Sequence, residues 1–94
     1  MPTYADEHFR IWAAIDHIAF KNGVSVSALA RRAGLDATAF NKSKRAYASG
    51  KHRWPSTESV VKVLHASSLT WAEFSKLLDD ISAAAPEEGF KKAA

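Results

Sequence analysis

The chain has 94 residues, no cysteine and a formal net charge of +3 at neutral pH. This length fits one small domain with a helical core, and the lack of cysteine excludes a disulfide framework or a cysteine-based zinc site. No run is long and apolar enough to cross a membrane, and the N-terminus lacks the apolar segment of a signal peptide. The composition therefore predicts a soluble cytoplasmic protein.

The first predicted helix runs from about Ala5 to Lys21. Three isoleucines recur along it at helical spacing, namely Ile11, Ile15 and Ile18. They form the centre of an apolar stripe, and Trp12 in the same stripe is interpreted as a core residue. Asn22 and Gly23 then predict the C-terminal cap.

Residues 25–45 predict two short helices joined by a tight turn at Gly34. Ser25 is a suitable N-cap for the first helix, and Gly34 permits the left-handed conformation that ends it. Asp36 is expected to cap the second helix, residues 37–45. This arrangement is typical of a DNA-binding helix-turn-helix.

The second helix of this motif would have two unlike faces. Phe40 and Ser43 share one side. The other side carries polar and charged groups and no large apolar residue: Thr38, Asn41, Lys42 and Arg45. Such groups hydrogen-bond to base edges and phosphates, although a solvated helix face is the alternative interpretation.

Positive charge is concentrated on this helix and on the loop that follows it. Between Asp36 and Glu58 the chain has no acidic residue and five basic ones: Lys42, Lys44, Arg45, Lys51 and Arg53. A concentrated basic patch indicates a polyanionic partner.

Residues 46–54 contain Gly50 and show no clear period, so they predict a loop with at most one extra turn. Trp54 precedes Pro55 and should be extended. Its indole could stack on a sugar-phosphate or cover the core, and the large apolar area of an indole favours the core.

Two further helices follow this loop. Ser56 predicts the N-cap of a helix that reaches about Ala66. Thr70 and Glu73 form a capping box that begins the fifth helix. Besides its core face, the fifth helix has a second stripe that is predicted as a dimer contact: Trp71, Leu78 and Ala85. Residues 1–85 thus form the predicted domain, and residues 86–94 read as a tail or the start of a linker.

These elements predict a compact all-α bundle of five helices without strands. The residues L-A-R-R-A-G-L-D-A-T-A-F-N at the motif resemble the lambda-repressor-like (XRE-type) helix-turn-helix domains of bacterial and phage regulators. The segment G-L-D-A-T-A-F-N-K-S-K-R, followed by R-W-P-S-T-E-S, is similar to N-terminal domains of alphaproteobacterial regulators that carry a LexA-type peptidase-like domain. The resemblance covers residues 8–82. Two features depart from it: Ser43 replaces a large apolar residue, and the basic loop over residues 47–53 is longer than usual.

The resemblance implies specific roles in DNA binding. Ala37, Thr38 and Lys42 would read bases. By the same resemblance, phosphates would be met by residues of the two motif helices: Ser25, Ser27, Asn41, Lys44 and Arg45. Their position in the basic loop adds Lys51 and Arg53 to this set. For Lys42 the alternative role is another phosphate contact, since a flexible lysine reaches either target.

The expected function is sequence-specific binding of double-stranded DNA by a homodimeric transcriptional repressor on the nucleoid. No cofactor, metal, membrane or small-molecule substrate is expected. The four histidines are scattered and form no zinc motif, and no phosphate loop or nucleophile motif is present, so the sequence does not predict an enzyme. The alternative is a protein-interaction module, such as an antitoxin or anti-regulator, on the same fold. The lack of an apolar anchor on the outer helix face favours DNA.

Overall fold

In the computed structural model, which describes residues 3–81, the chain forms four α-helices. In chain order these are α1 Tyr4–Lys21, α2 Val26–Arg32, α3 Thr57–Ala66 and α4 Trp71–Asp80. Between α2 and α3 a 3₁₀ turn spans Lys42–Lys44. The described chain is therefore all-α as predicted, but it has four α-helices and not five.

Local capping sequences begin the helices where they were predicted. Ser25 accepts a backbone hydrogen bond at the start of α2, and Thr70 and Glu73 bond reciprocally at the start of α4. The first helix begins at Tyr4, within one residue of the predicted start. Thr3 and Asp6 form its capping box, which was not recognised in the sequence. The Asp6 carboxylate accepts a hydrogen bond from the Thr3 backbone N–H. This bond is the main cause that lowers the pKa of Asp6.

Three helices end in the same way, with a residue in the left-handed region. Gly34 closes α2 with φ 78°, and the N–H of Leu35 donates to the carbonyl of Ala30 (2.9 Å), which is a Schellman motif. Gly23 has the equivalent position after α1. After α3 the position is filled by Ser68, with φ 57°, where a side chain strains the backbone.

Helix α1 lies at the centre of the core and contacts α2 and α4, while α2 contacts α3. Trp12 is buried, as predicted. The segment between α2 and α3 contributes Phe40, whose side chain is only 1% exposed. Phe40 thereby fixes the chain after α2 against the bundle, and the packing positions the polar residues on either side of it.

Some sequence-based expectations fall on residues 82–94, which lie outside the described part of the chain. They are Ala85, the domain boundary at that residue, and the tail over residues 86–94. Among residues 3–81, no helix combines the length and the apolar character needed to cross a membrane.

Candidate nucleic-acid interface

The chain after α2 closes into tight turns, so the predicted recognition helix over residues 37–45 is wrong. Backbone N–H groups donate three residues back, from Ala39 to Asp36 (2.9 Å) and from Asn41 to Thr38 (3.1 Å), which is the 3₁₀ pattern. Asn41 is then extended, with φ −64° and ψ 154°. This residue separates the first turn from the 3₁₀ turn Lys42–Lys44.

Asp36 holds the first turn through Thr38. Its Oδ1 accepts hydrogen bonds from the Thr38 hydroxyl (2.7 Å) and the Thr38 backbone N–H (2.8 Å). These two bonds, the hydroxyl first, lower the pKa of Asp36. Because the pKa of Asp36 is lower in the folded chain than in the unfolded one, the ionised carboxylate stabilises the fold. This stabilisation is complete above the ordinary pKa of aspartate and is lost as pH falls through the lowered pKa. Asp36 therefore caps the first turn after α2 and not the helix that the sequence predicted.

Thr38 is exposed, and its neighbour is Lys44. The Lys44 ammonium donates to the Thr38 hydroxyl oxygen at 3.2 Å. Lys42, which was expected beside Thr38 one helical turn later, instead lines a hollow with Phe9 and Asp16 of α1. The structure therefore pairs Thr38 with Lys44, because the i to i+4 geometry of an α-helix is absent here.

Arg45 has an internal role that the sequence did not indicate. Its guanidinium donates two hydrogen bonds to the Asp16 carboxylate (2.9 and 2.6 Å) and one to the carbonyl of Phe40 (2.9 Å). It also lies over the Trp12 ring, 4.8 Å from the centroid. With only 16% of this side chain exposed, Arg45 is poorly placed for the predicted phosphate contact.

Residues 45–53 form a short hairpin, where the sequence predicted only a loop with at most one extra turn. The N–H of Arg53 donates to the carbonyl of Arg45 (3.0 Å), and the N–H of Tyr47 donates to that of Lys51 (2.9 Å). Gly50, with φ 89°, makes the reversal. The Arg53 guanidinium lies over the Tyr47 ring at 5.2 Å, and Lys51 is exposed at the tip. We call residues 45–53 the basic hairpin.

Two side chains of α1 anchor the basic hairpin at its base. His8 Nε2 lies 2.9 Å from the carbonyl oxygen of Arg45 and 3.1 Å from that of Arg53. Trp12 Nε1 donates to the same Arg53 carbonyl at 2.9 Å. Because both partners are carbonyl acceptors, His8 Nε2 is protonated and donates to them. Sequence reasoning missed His8 and Asp16, since each meets a partner about 30 to 45 residues away with no local signal.

The remaining predicted DNA contacts lie at the start of α2, on the turns after it and on the basic hairpin. Exposed side chains are those of Ser25, Thr38, Lys42 and Lys51, and half-buried ones are those of Ser27, Ala37, Asn41, Lys44 and Arg53. The Ser25 hydroxyl accepts the cap hydrogen bond from Ala28 (3.1 Å), which leaves its proton to donate outward. Basic and hydroxyl groups thus dominate the surface of the turns and the hairpin.

A separate apolar surface lies on α4. Trp71 is 55% exposed and lines a hollow of about 270 Å³ with Phe74, Leu78 and Ile11 among its walls. The Trp71 and Phe74 rings meet edge to face at 6.1 Å. The two described residues of the predicted dimer stripe therefore share one surface.

Trp54 has a position between its two predicted ones. The indole is half-buried and contacts the rings of Tyr4 (5.1 Å between centroids) and His8 (5.2 Å). It therefore covers the anchor of the basic hairpin and leaves part of its ring at the surface.

Comparison of the chain with protein-family models, with curated proteins and with solved structures gives no match.

Proposed function

We propose that this chain is a sequence-specific binding domain for double-stranded DNA in a transcriptional regulator that acts as a repressor. In this proposal α2 and the turns over residues 36–45 serve as a helix-turn-helix in which the second helix is replaced by two tight turns. The sequence resemblance to lambda-repressor-like domains supports this assignment.

The observation that carries the proposal is the set of basic side chains on a firmly held segment: Lys42, Lys44, Lys51 and Arg53. Phe40 packs this segment into the core, and the hairpin base is hydrogen-bonded to α1. Asp16 is paired with Arg45, so Asp36, which lies near Lys44, is the carboxylate that remains over residues 36–53. Four cations against this one carboxylate leave a fixed surface of net positive charge, which favours a polyanion.

Within this proposal the roles differ from those expected from sequence. The Thr38 hydroxyl gives its proton to Asp36, and its oxygen holds the Lys44 ammonium. The remaining protons of that ammonium suit the acceptor atoms of base edges in a major groove. Lys42 moves to the phosphate-binding group, with Lys51 and Arg53. Smaller contributions come from Ala37 toward bases and from Ser25, Ser27 and Asn41 toward phosphates.

A short reading element recognises few base pairs, so we propose that the domain binds DNA as a homodimer. The Trp71 hollow is the proposed contact, since a half-exposed indole beside apolar walls is costly to leave in water. The same surface would serve a different protein partner if the chain were an antitoxin or anti-regulator. The cations Lys51 and Arg53 of the basic hairpin favour DNA over that alternative.

Selection of bound sequences from random duplex DNA tests the proposal. We expect enrichment of a short motif that occurs as two related half-sites spaced by about one helical turn, roughly 10 base pairs. A Lys44→Ala variant should blur the motif, and the matched Lys76→Ala variant, which removes a lysine of α4, should not. If the sequences bound by the unmodified protein showed no enriched motif, sequence-specific DNA binding would be refuted and the protein-interaction alternative would be favoured.

A further inference from the structure

An aromatic cleft lies between the start of α1 and the basic hairpin. It has a volume of about 410 Å³ and is lined by Tyr4, Tyr47, Lys51, His52 and Trp54. Tyr4 is 76% and Tyr47 51% exposed, so two large rings face water at its mouth. A cleft of this size is within the range of small-ligand sites. We call it the aromatic cleft.

The walls of the aromatic cleft are held in place before any ligand binds. Tyr4 is the first residue of α1, which is fixed by the Thr3–Asp6 capping box. His52, which also lines the cleft, stacks on His8 of α1 with 4.3 Å between ring centroids and 8° between planes. Tyr47 belongs to the hydrogen-bonded hairpin. Little ordering is therefore required on binding, which favours affinity.

The charge around the cleft selects the kind of ligand. Lys51 lines it, and the Arg53 guanidinium covers one face of the Tyr47 ring. Among residues 3–81, no Asp or Glu lines the cleft. Aromatic rings alone would also attract organic cations, but the two basic groups repel them. Rings together with a cation match a flat base that carries a phosphate.

We infer that the aromatic cleft binds an unpaired nucleotide of a nucleic-acid strand, with the base against the tyrosine rings and its phosphate at Lys51. A strand is favoured over a free nucleotide because a neighbouring phosphate can reach Arg53, the second cation beside the cleft. A free nucleotide would have only Lys51 for a phosphate that is doubly charged. This inference does not depend on duplex recognition by Thr38 and Lys44.

The test is binding of fluorescently labelled single-stranded (dT)10, followed by anisotropy, for four variants of the full chain. Tyr4→Ala and Tyr47→Ala remove one ring each, Tyr47→Phe keeps the ring, and Phe20→Ala is the matched control. Phe20 is 79% exposed on the far end of α1. Because all three aromatic side chains are largely at the surface, circular dichroism spectra should remain those of the unmodified protein.

We expect each tyrosine-to-alanine change to weaken (dT)10 binding roughly 5- to 150-fold, the range for one stacked base. Tyr47→Phe and Phe20→Ala should bind as the unmodified protein does. Equal affinities for Tyr47→Ala and the control would overturn the inference, even if duplex binding persisted. The inference would also be overturned if a tyrosine-to-alanine change weakened duplex binding by the same factor as (dT)10 binding. Displacement of (dT)10 by thymidine monophosphate at equal nucleotide concentration would overturn it as well. If the unmodified protein bound (dT)10 but not duplex DNA, the proposed function would be contradicted and the inference about the aromatic cleft would stand.

Discussion

Replacement of Arg45 by alanine distinguishes an internal ion pair from a surface cation that awaits DNA. The substitution removes two hydrogen bonds to Asp16, one to the carbonyl of Phe40, and the contact with the Trp12 ring. We expect Arg45→Ala to destabilise the fold strongly, because this one side chain ties α1 to the turn segment and to the start of the basic hairpin.

The expected size follows from those contacts. Hydrogen bonds to charged groups contribute about 1.5–3 kcal/mol each, and fully exposed ion pairs about 0–1 kcal/mol. The Asp16 side chain is 40% exposed and Arg45 only 16%, so the pair lies between these cases. We expect a loss of about 2–4 kcal/mol in the free energy of unfolding. For a domain of this size that lowers Tm by about 10–25 °C.

Thermal and urea unfolding, followed by circular dichroism, measure this loss. Lys42→Ala is the matched control, since it removes the same charge from a neighbouring exposed residue and should change stability by no more than about 0.5 kcal/mol. A double-mutant cycle with Asp16→Ala should show coupling. If Arg45→Ala were as stable as Lys42→Ala, the internal role would be refuted and Arg45 would return to the phosphate contacts.

Three further expectations concern specificity, backbone strain and assembly. Lys44→Ala should weaken binding to the selected operator by about 1–3 kcal/mol and binding to random duplex by less, while Lys42→Ala should weaken both by the same amount. Competition between operator and random duplex at matched salt measures the difference. If Lys44→Ala lost the same affinity for both DNAs, Lys44 would not read bases. Ser68→Gly should raise the free energy of unfolding by about 0.5–1 kcal/mol in urea by relieving the left-handed strain, and no gain would contradict this. Trp71→Glu should abolish cooperative binding to an operator with two half-sites, whereas Phe20→Glu should retain it; unchanged cooperativity for Trp71→Glu would place the dimer contact elsewhere.

Helix ends were predictable because their causes are local. Ser25, Thr70 with Glu73, and Gly34 each act on backbone groups within a few residues, so their sequence patterns contain the whole interaction. The apolar spacing of α1 likewise predicted its buried side. Only the T-x-x-D form of the capping box at Thr3 escaped notice, since aspartate replaces the usual glutamate.

The absent recognition helix has a physical explanation in its side chains. Asp36, Thr38 and Asn41 are weak helix formers whose polar groups compete for backbone partners, and Asp36 does so here. Ser43 occupies a position where the helix-turn-helix domains that the motif resembles have a large apolar residue. It is exposed and gives a second helical turn nothing to bury. That departure was the signal against a helix.

The internal role of Arg45 and the hairpin anchor at His8 could not be read from sequence. Each depends on a partner brought close only by the fold, Asp16 in one case and the Arg45 and Arg53 carbonyls in the other. Nothing in the pattern K-S-K-R separates the one internal cation from its neighbours. Burial decides this, and burial is a property of the packed chain.

The salt dependence of duplex binding tests the central claim most directly. With Lys42, Lys51 and Arg53 as the phosphate-facing cations of one protomer, the plot of log affinity against log salt should have a slope of about −3 per protomer. Lys51→Ala should make the slope less steep by about one, and the control Lys76→Ala should leave it unchanged. A slope near zero for the unmodified protein would contradict the account.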